Sequence, residues 1–227
     1  MTKVFERRKA IELRKQGKSY SEIKQLVTVS KSSLSMWLRN YPLDERQLER
    51  IKNKKYRTIE KYIQTMKNKR ESRLNGYYKK QKERWLPLSD NEEFIAGLFL
   101  YWGEGNKASR NSLNISNTDP AMMRFALYWF KHVLKVPQDK FKIQLQLYKD
   151  MDIDHEIKFW VKELRIKKSC FIKPYIKDTL KKAIDQKGGY GHGTCCMWVH
   201  NTILKENMMM ALKAMTEFYR DTTKVMV

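Results

Sequence analysis

Thirty-nine residues from Arg46 to Arg84 carry fifteen Lys or Arg against four Glu, with no proline and a single glycine, Gly76. Such a stretch has no turn residues to fold it back on itself. Its apolar residues, among them Ile51, Ile59, Ile63, Met66 and Leu74, recur too loosely for a heptad seam. The pattern predicts a charged helix or a pair of helices. Fifteen cations at this density repel one another unless an anion screens them, so the stretch reads as a phosphate-tracking linker, with Lys52, Lys54, Lys55 and Arg57 as backbone contacts. Pro87, in "WLPLSD", breaks the helix, and Ser89 or Asp90 starts the next element. The expected organisation is therefore three parts: residues 1–44, a basic helical linker over 45–88, and a second domain over 89–227.

The whole chain of 227 residues has a formal net charge of +22 and a pI near 9.8, an excess that implies a polyanionic partner. With 41% hydrophobic residues it has the composition of a folded protein. No apolar run approaches the roughly 18 to 20 residues of a spanning helix, and "MTKVFERRKAIELRKQ" is too charged for a signal peptide. Three cysteines, Cys170, Cys195 and Cys196, give no disulfide framework and suit a reducing compartment. The expectation is an intracellular, cytoplasmic protein associated with the nucleoid.

Before the basic stretch, three short helical segments are predicted. Val4, Ala10, Ile11 and Leu13 share a face of the first, and Gly17 stops it. Ser19 or Ser21 caps a second, with Ile23 and Leu26 or Val27 turned inward. Ser30 caps a third, in which Leu34, Trp37 and Leu38 form the inward stripe. Two short helices across a tight turn, the second polar outside, make a helix-turn-helix. "GKSYSEIKQLVTVSKSSLSMWLR" resembles the helix-turn-helix of resolvase-like and transposase-like DNA-binding domains. That resemblance implies that the third helix enters the major groove of double-stranded DNA and that Lys31, Ser32, Ser33, Ser35, Met36 and Arg39 face it.

The second domain mixes element types, so an α+β unit is expected. Helix is predicted over Phe94–Trp102, Asp119–Leu134, Ile153–Leu164 and 202–219. Strands are predicted at "SLNIS", "CFIKPYI" and "TCCMWVH", and most clearly at "KFKIQLQLY", where Phe141, Ile143, Leu145 and Leu147 alternate with polar residues. Lys142, Gln144, Gln146 and Tyr148 then occupy the face opposite the core, where Gln and Lys can contact bases or phosphates. Lys173, Lys177, Trp198 and His200 are candidates to join them, and "KGGYGHG" reads as a glycine-rich loop.

"EFIAGLFLYWGEGNKASRNSLNISNTDPAMMRFALYWF" resembles the start of a LAGLIDADG homing endonuclease domain: a helix ending in G-E-G, then a strand, then an S-N-x-D sequence opening the next helix. The likeness covers residues 94–134; beyond them it rests on element order. In that family two such helices pack at a dyad and each ends in an acid at the scissile phosphates. The resemblance thus implies that Glu104 is the catalytic acid and a Mg²⁺ ligand, and that Gly97 and Gly103 serve helix packing in a homodimer. It also implies an antiparallel, saddle-shaped sheet along the DNA, with Lys107 and Arg110 among the contacts. Phe99 stands where the family carries a small residue. Mg²⁺ prefers one or two carboxylates with water and phosphate oxygens, so one Glu104 from each protomer makes a fitting pair.

Other metal patterns are weaker. His192, Cys195 and Cys196 lack a further ligand pair, and adjacent cysteines on a strand point to opposite faces. Asp150, Asp152 and Asp154 lack the glycine and terminal glutamate of an EF-hand, and Asp152 or Asp154 suits a helix cap. The sequence therefore predicts a Mg²⁺-dependent, site-specific DNA endonuclease. A non-catalytic DNA-binding regulator and an intron RNA-binding splicing factor are the alternatives on the same fold.

Overall fold

Hydroxyl and carboxylate caps set the helix boundaries of the N-terminal part. In the computed structural model, which describes residues 3–181 and 191–225 (the side chains of 221–225 excepted), α1 spans Val4–Lys15, α2 Tyr20–Leu26 and α3 Lys31–Leu38. Ser19 and Glu22 cap α2 reciprocally, and Ser30 Oγ accepts from Ser33 N at 3.1 Å to start α3. Ala10, Ile23, Val27, Val29, Leu34, Trp37 and Leu38 make the core of this bundle. Val4, read on the same face as Ala10, is exposed and lies outside this core.

The chain divides into two compact units, Met1–Leu86 and Pro87–Val227. The basic segment lies in the first. After α4 (Glu45–Arg50) comes α5 (Lys54–Trp85), a single 32-residue helix. Its N-terminal part is held to the bundle by a buried ion pair. Glu60 accepts from Arg14 Nη2 at 2.9 Å and from Tyr20 N at 2.6 Å, while Arg14 Nε donates to Tyr41 O at 2.8 Å. Every polar atom in this network is matched, which is what permits a buried charge pair.

The second unit is α+β. Its helices are α6 (Asp90–Glu104), α7 (Pro120–Tyr128), α8 (Ile153–Leu164) and α9 (Thr202–Val225), and its strands are β1 (Ser112–Asn117), β2 (Phe141–Tyr148), β3 (Tyr175–Lys177) and β4 (Thr194–His200). The helix expected to run to Leu134 leaves α geometry at Tyr128, and a π-helical turn, Trp129–Val133, carries Trp129 and Phe130 into the core. The strands lie in the order β1-β4-β2-β3.

The sheet is mixed where antiparallel pairing was expected. β4 is antiparallel to β1 and to β2, but β3 is parallel to β2. The cause is α8: a strand followed by a crossover helix returns in the same direction. The "CFIKPYI" strand is also shorter than predicted, reduced to Tyr175–Lys177 and one bridge between Phe171 and Ile143. Most of the glycine-rich "KGGYGHG" segment lies outside the described residues.

Leu98 and Tyr101 of α6, Met123 and Ala126 of α7, Trp160 of α8 and Leu212 of α9 pack with Leu113, Ile115, Ile143, Leu145, Met197 and Val199 of the sheet in one core. One sheet face is thereby covered by helices. Among the described residues no helix is long and apolar enough to cross a membrane.

Candidate nucleic-acid interface

Strand alternation decides what the other sheet face carries. Strand register aligns its side chains in rows: Ser112 beside His200; Asn114, Trp198 and Lys142; Ser116, Cys196 and Gln144; Thr194, Gln146 and Tyr175; Tyr148 beside Lys177. Lys142, Gln144, Gln146, Tyr148, Lys177 and His200 therefore share one surface. Lys173 is exposed in the segment before β3, where its carbonyl accepts from Gln144 Nε2 at 3.0 Å. Lys177 Nζ sits over the Tyr148 ring, 5.2 Å from its centroid. Gln146 Nε2 donates to Cys196 Sγ at 3.2 Å. Asn114, Ser116 and Thr194 join the surface without having been singled out in the sequence, and Cys196 lies buried beneath its row; the alternation of "SLNIS" with Leu113 and Ile115 inside was the available signal for Asn114 and Ser116.

Glu104 ends α6 at the rim of this face, in an open polar depression it shares with Asn106, Asn114, Ser116, Gln144 and His200. Its carboxylate is exposed, and Oε2 accepts from Asn117 Nδ2 at 3.1 Å. Three contacts fix the turn that presents it. Gly105 bridges to Ile115, Asn106 N donates to Asn114 O at 3.0 Å, and Tyr101 Oη donates to Asn106 O at 2.8 Å. From α9 the buried Lys205 Nζ donates to Tyr101 Oη, to Asn106 O at 3.1 Å and to Lys107 O at 3.4 Å. Burial pushes the Tyr101 hydroxyl up to about 12 and the Lys205 ammonium below its ordinary value. Lys107 donates its own Nζ to Trp102 O at 2.8 Å, closing the end of α6, and Arg110 is exposed nearby in the chain.

The glycines of α6 divide differently from expectation. A Cβ on Gly97 would lie 2.1 Å from the Trp129 indole, so the place assigned to a partner helix is filled by this chain's own tryptophan. Gly103 has nothing within 4 Å of that position and is exposed. On the same side of α6, Ile95, Phe99 and Trp102 are 43%, 43% and 44% exposed, an apolar stripe at helical spacing.

In the first unit, α3 exposes Lys31, Ser32, Ser35 and Met36, and Arg39 is exposed at its C-cap. Ser32, Ser35, Met36 and Arg39 line a groove with Lys67, Lys69, Arg70 and Arg73 of α5, and Lys67 Nζ donates to Arg39 O at 3.4 Å. Ser33 is half-buried, its hydroxyl bonded to Ser30 Oγ at 2.9 Å within the cap. Lys52, Lys54 and Lys55 are exposed. Arg57 is occupied: Nη2 donates to Ile51 O at 2.7 Å and to Glu49 O at 3.1 Å, capping the end of α4.

Among the described residues one group of three or more metal-ligating side chains occurs, His155, Glu156 and His192. Glu104 is not in it. Cys195 is buried in the core, and burial raises its thiol well above the usual range, which removes it further from metal chemistry. No family model matches the chain, and no curated protein or solved structure is significantly similar to it.

Proposed function

We propose that this chain binds double-stranded DNA site-specifically and hydrolyses its phosphodiester backbone as a homodimer, with Mg²⁺ held by Glu104. The observation that carries the reading is the position of that one carboxylate. It is exposed, it terminates a helix whose outer face is an unpartnered apolar stripe, and it borders a polar sheet face rich in Gln, Asn and Lys. A second protomer packed on Ile95, Phe99, Trp102 and Gly103 brings a second Glu104 to the dyad, as the LAGLIDADG resemblance implies.

One carboxylate per chain fits Mg²⁺, which takes one or two carboxylates and fills the remaining positions with water and phosphate oxygens. When bound, the ion neutralises charge on the phosphate and makes water a better nucleophile. The chain's own residues do the rest. Asn117 orients the Glu104 carboxylate, and Lys205, by binding the carbonyls of Asn106 and Lys107, holds the turn that aims it. Lys142, Gln144, Gln146 and His200 offer donors to base edges and phosphates. In the first unit α2 and α3 act as a helix-turn-helix, with Arg39, Ser35 and Met36 reading bases and Lys54, Lys55 and the outer face of α5 holding phosphates.

A non-catalytic regulator is the second reading, favoured by the absence of Glu104 from any group of three metal-ligating side chains among the described residues. Incubation with a genomic DNA library in Mg²⁺ and in EDTA tests the two. Discrete Mg²⁺-dependent cuts support the enzyme; saturable binding without cuts supports the regulator. Binding that intron RNA displaces and duplex DNA does not would overturn both.

A further inference from the structure

His155 and Glu156 are consecutive residues of α8, and His192 leads into β4. One ligating atom from each lies within 4.8 Å of the others. His192 Nδ1 and Glu156 Oε2 are already hydrogen-bonded at 2.7 Å. Glu156 is only 6% exposed, and a buried carboxylate needs a cationic or donor partner. Neighbours also position the two histidines' segments. The Phe159 ring lies flat on the His192 imidazole, centroids 3.5 Å apart at 9°, and Trp160 Nε1 donates to His192 O at 2.8 Å. Asp152 accepts from His155 N at 2.9 Å.

We propose that His155, Glu156 and His192 bind a divalent transition-metal ion of the zinc type, with water in a fourth position. Two imidazole nitrogens and one carboxylate oxygen match Zn²⁺, whereas Mg²⁺ prefers an all-oxygen shell. With bonds of roughly 2.0–2.2 Å, tetrahedral zinc ligands stand somewhat more than 3 Å apart. The His192 to Glu156 hydrogen bond therefore opens by less than an ångström as the ion takes the place of the shared proton, which passes to solvent. The positive end of α8 opposes a cation, and the carboxylates of the N-cap Asp152 and of Asp154 and Glu156 in its first turn offset that. Because β4 pairs with both β1 and β2, the ion would clip the approach of the sheet's inner strand to α8.

The test uses the full chain, stripped with a chelator, titrated with ZnCl₂ by calorimetry and with Co²⁺ by absorption spectroscopy. One site per chain is expected, with a raised Tm in Zn²⁺ and none in Mg²⁺ alone. His155→Ala, at an exposed position that leaves packing intact, should weaken Zn²⁺ binding by roughly tenfold or more, and His192→Ala likewise. Cys196→Ser should bind as wild type. The proposal is overturned if no Zn²⁺ binds, or if His155→Ala binds with unchanged affinity, or if only Cys196→Ser loses the ion. The readout is metal affinity and not cleavage, so it stands or falls apart from the role of Glu104.

Discussion

Gly103 and Gly105 flank the same carboxylate and answer to different constraints. A Cβ on Gly105 would lie 2.4 Å from the Tyr101 carbonyl oxygen, whereas one on Gly103 meets open space. Gly105→Ala should therefore cost about 1–3 kcal/mol in urea unfolding, and Gly103→Ala should leave the stability of the protomer unchanged or raise it by up to ~1 kcal/mol through helix propensity. Equal losses in both variants would contradict the geometry. Tyr101, beneath this turn, gives the protein an alkaline limit. A tyrosine ionises near 10.0 when unfolded, but burial keeps Tyr101 protonated to about 12, so the folded state binds the extra proton and loses stability as pH rises through that window. Lys205, whose folded value is lowered, has the opposite sign: the cost of its buried charge is present at lower pH and is relieved as pH rises towards its unfolded value of 10.5. Tyr101→Phe should lose less stability than wild type between pH 10 and 12, measured by denaturation at each pH.

Elements with strong periodicity were legible in the sequence, and contacts between distant elements were not. The alternation in "KFKIQLQLY" gives β2 and the membership of its two faces, and α8 spans the predicted Ile153–Leu164. The parallel pairing of β3 depends on the path of α8 over the sheet, which no local pattern encodes. Gly97 reads as a helix-packing residue in either case; only the π-helical turn, which swings Trp129 against it, shows that the neighbour is intramolecular. Arg14 and Glu60 are 46 residues apart, and Glu156 and His192 are 36 apart, so neither pair stands out by spacing. The exposed apolar face of α6 should be a dimer seam. Phe99→Asp places a charge on the apolar stripe without touching the core, since Phe99 is 43% exposed. In sedimentation it should convert a dimer to monomers while the circular dichroism spectrum stays that of the wild type. A wild-type chain that is monomeric at all concentrations would remove α6 as a dimer seam.

Across the molecule charge is unevenly placed: residues 1–86 hold 25 Lys or Arg against 9 Asp or Glu, and residues 87–227 hold 22 against 16. Phosphate affinity should thus come chiefly from the first unit and fall steeply with salt. With roughly six to ten phosphate contacts, raising salt from about 50 to 200 mM should weaken binding a thousandfold or more. A flat response would mean that the cations of α5 do not track a backbone. Cleavage, in this reading, depends on one acid. Glu104→Gln keeps the size of the side chain and the turn that carries it but replaces a carboxylate with an amide, a poor partner for a hard cation. Cleavage and DNA affinity should be measured together on this variant in Mg²⁺. Cleavage should fall by orders of magnitude while affinity holds or tightens, since one anion facing the phosphates is gone. Cleavage within about twofold of wild type, below any change in barrier that a lost metal ligand would cause, would contradict that dependence.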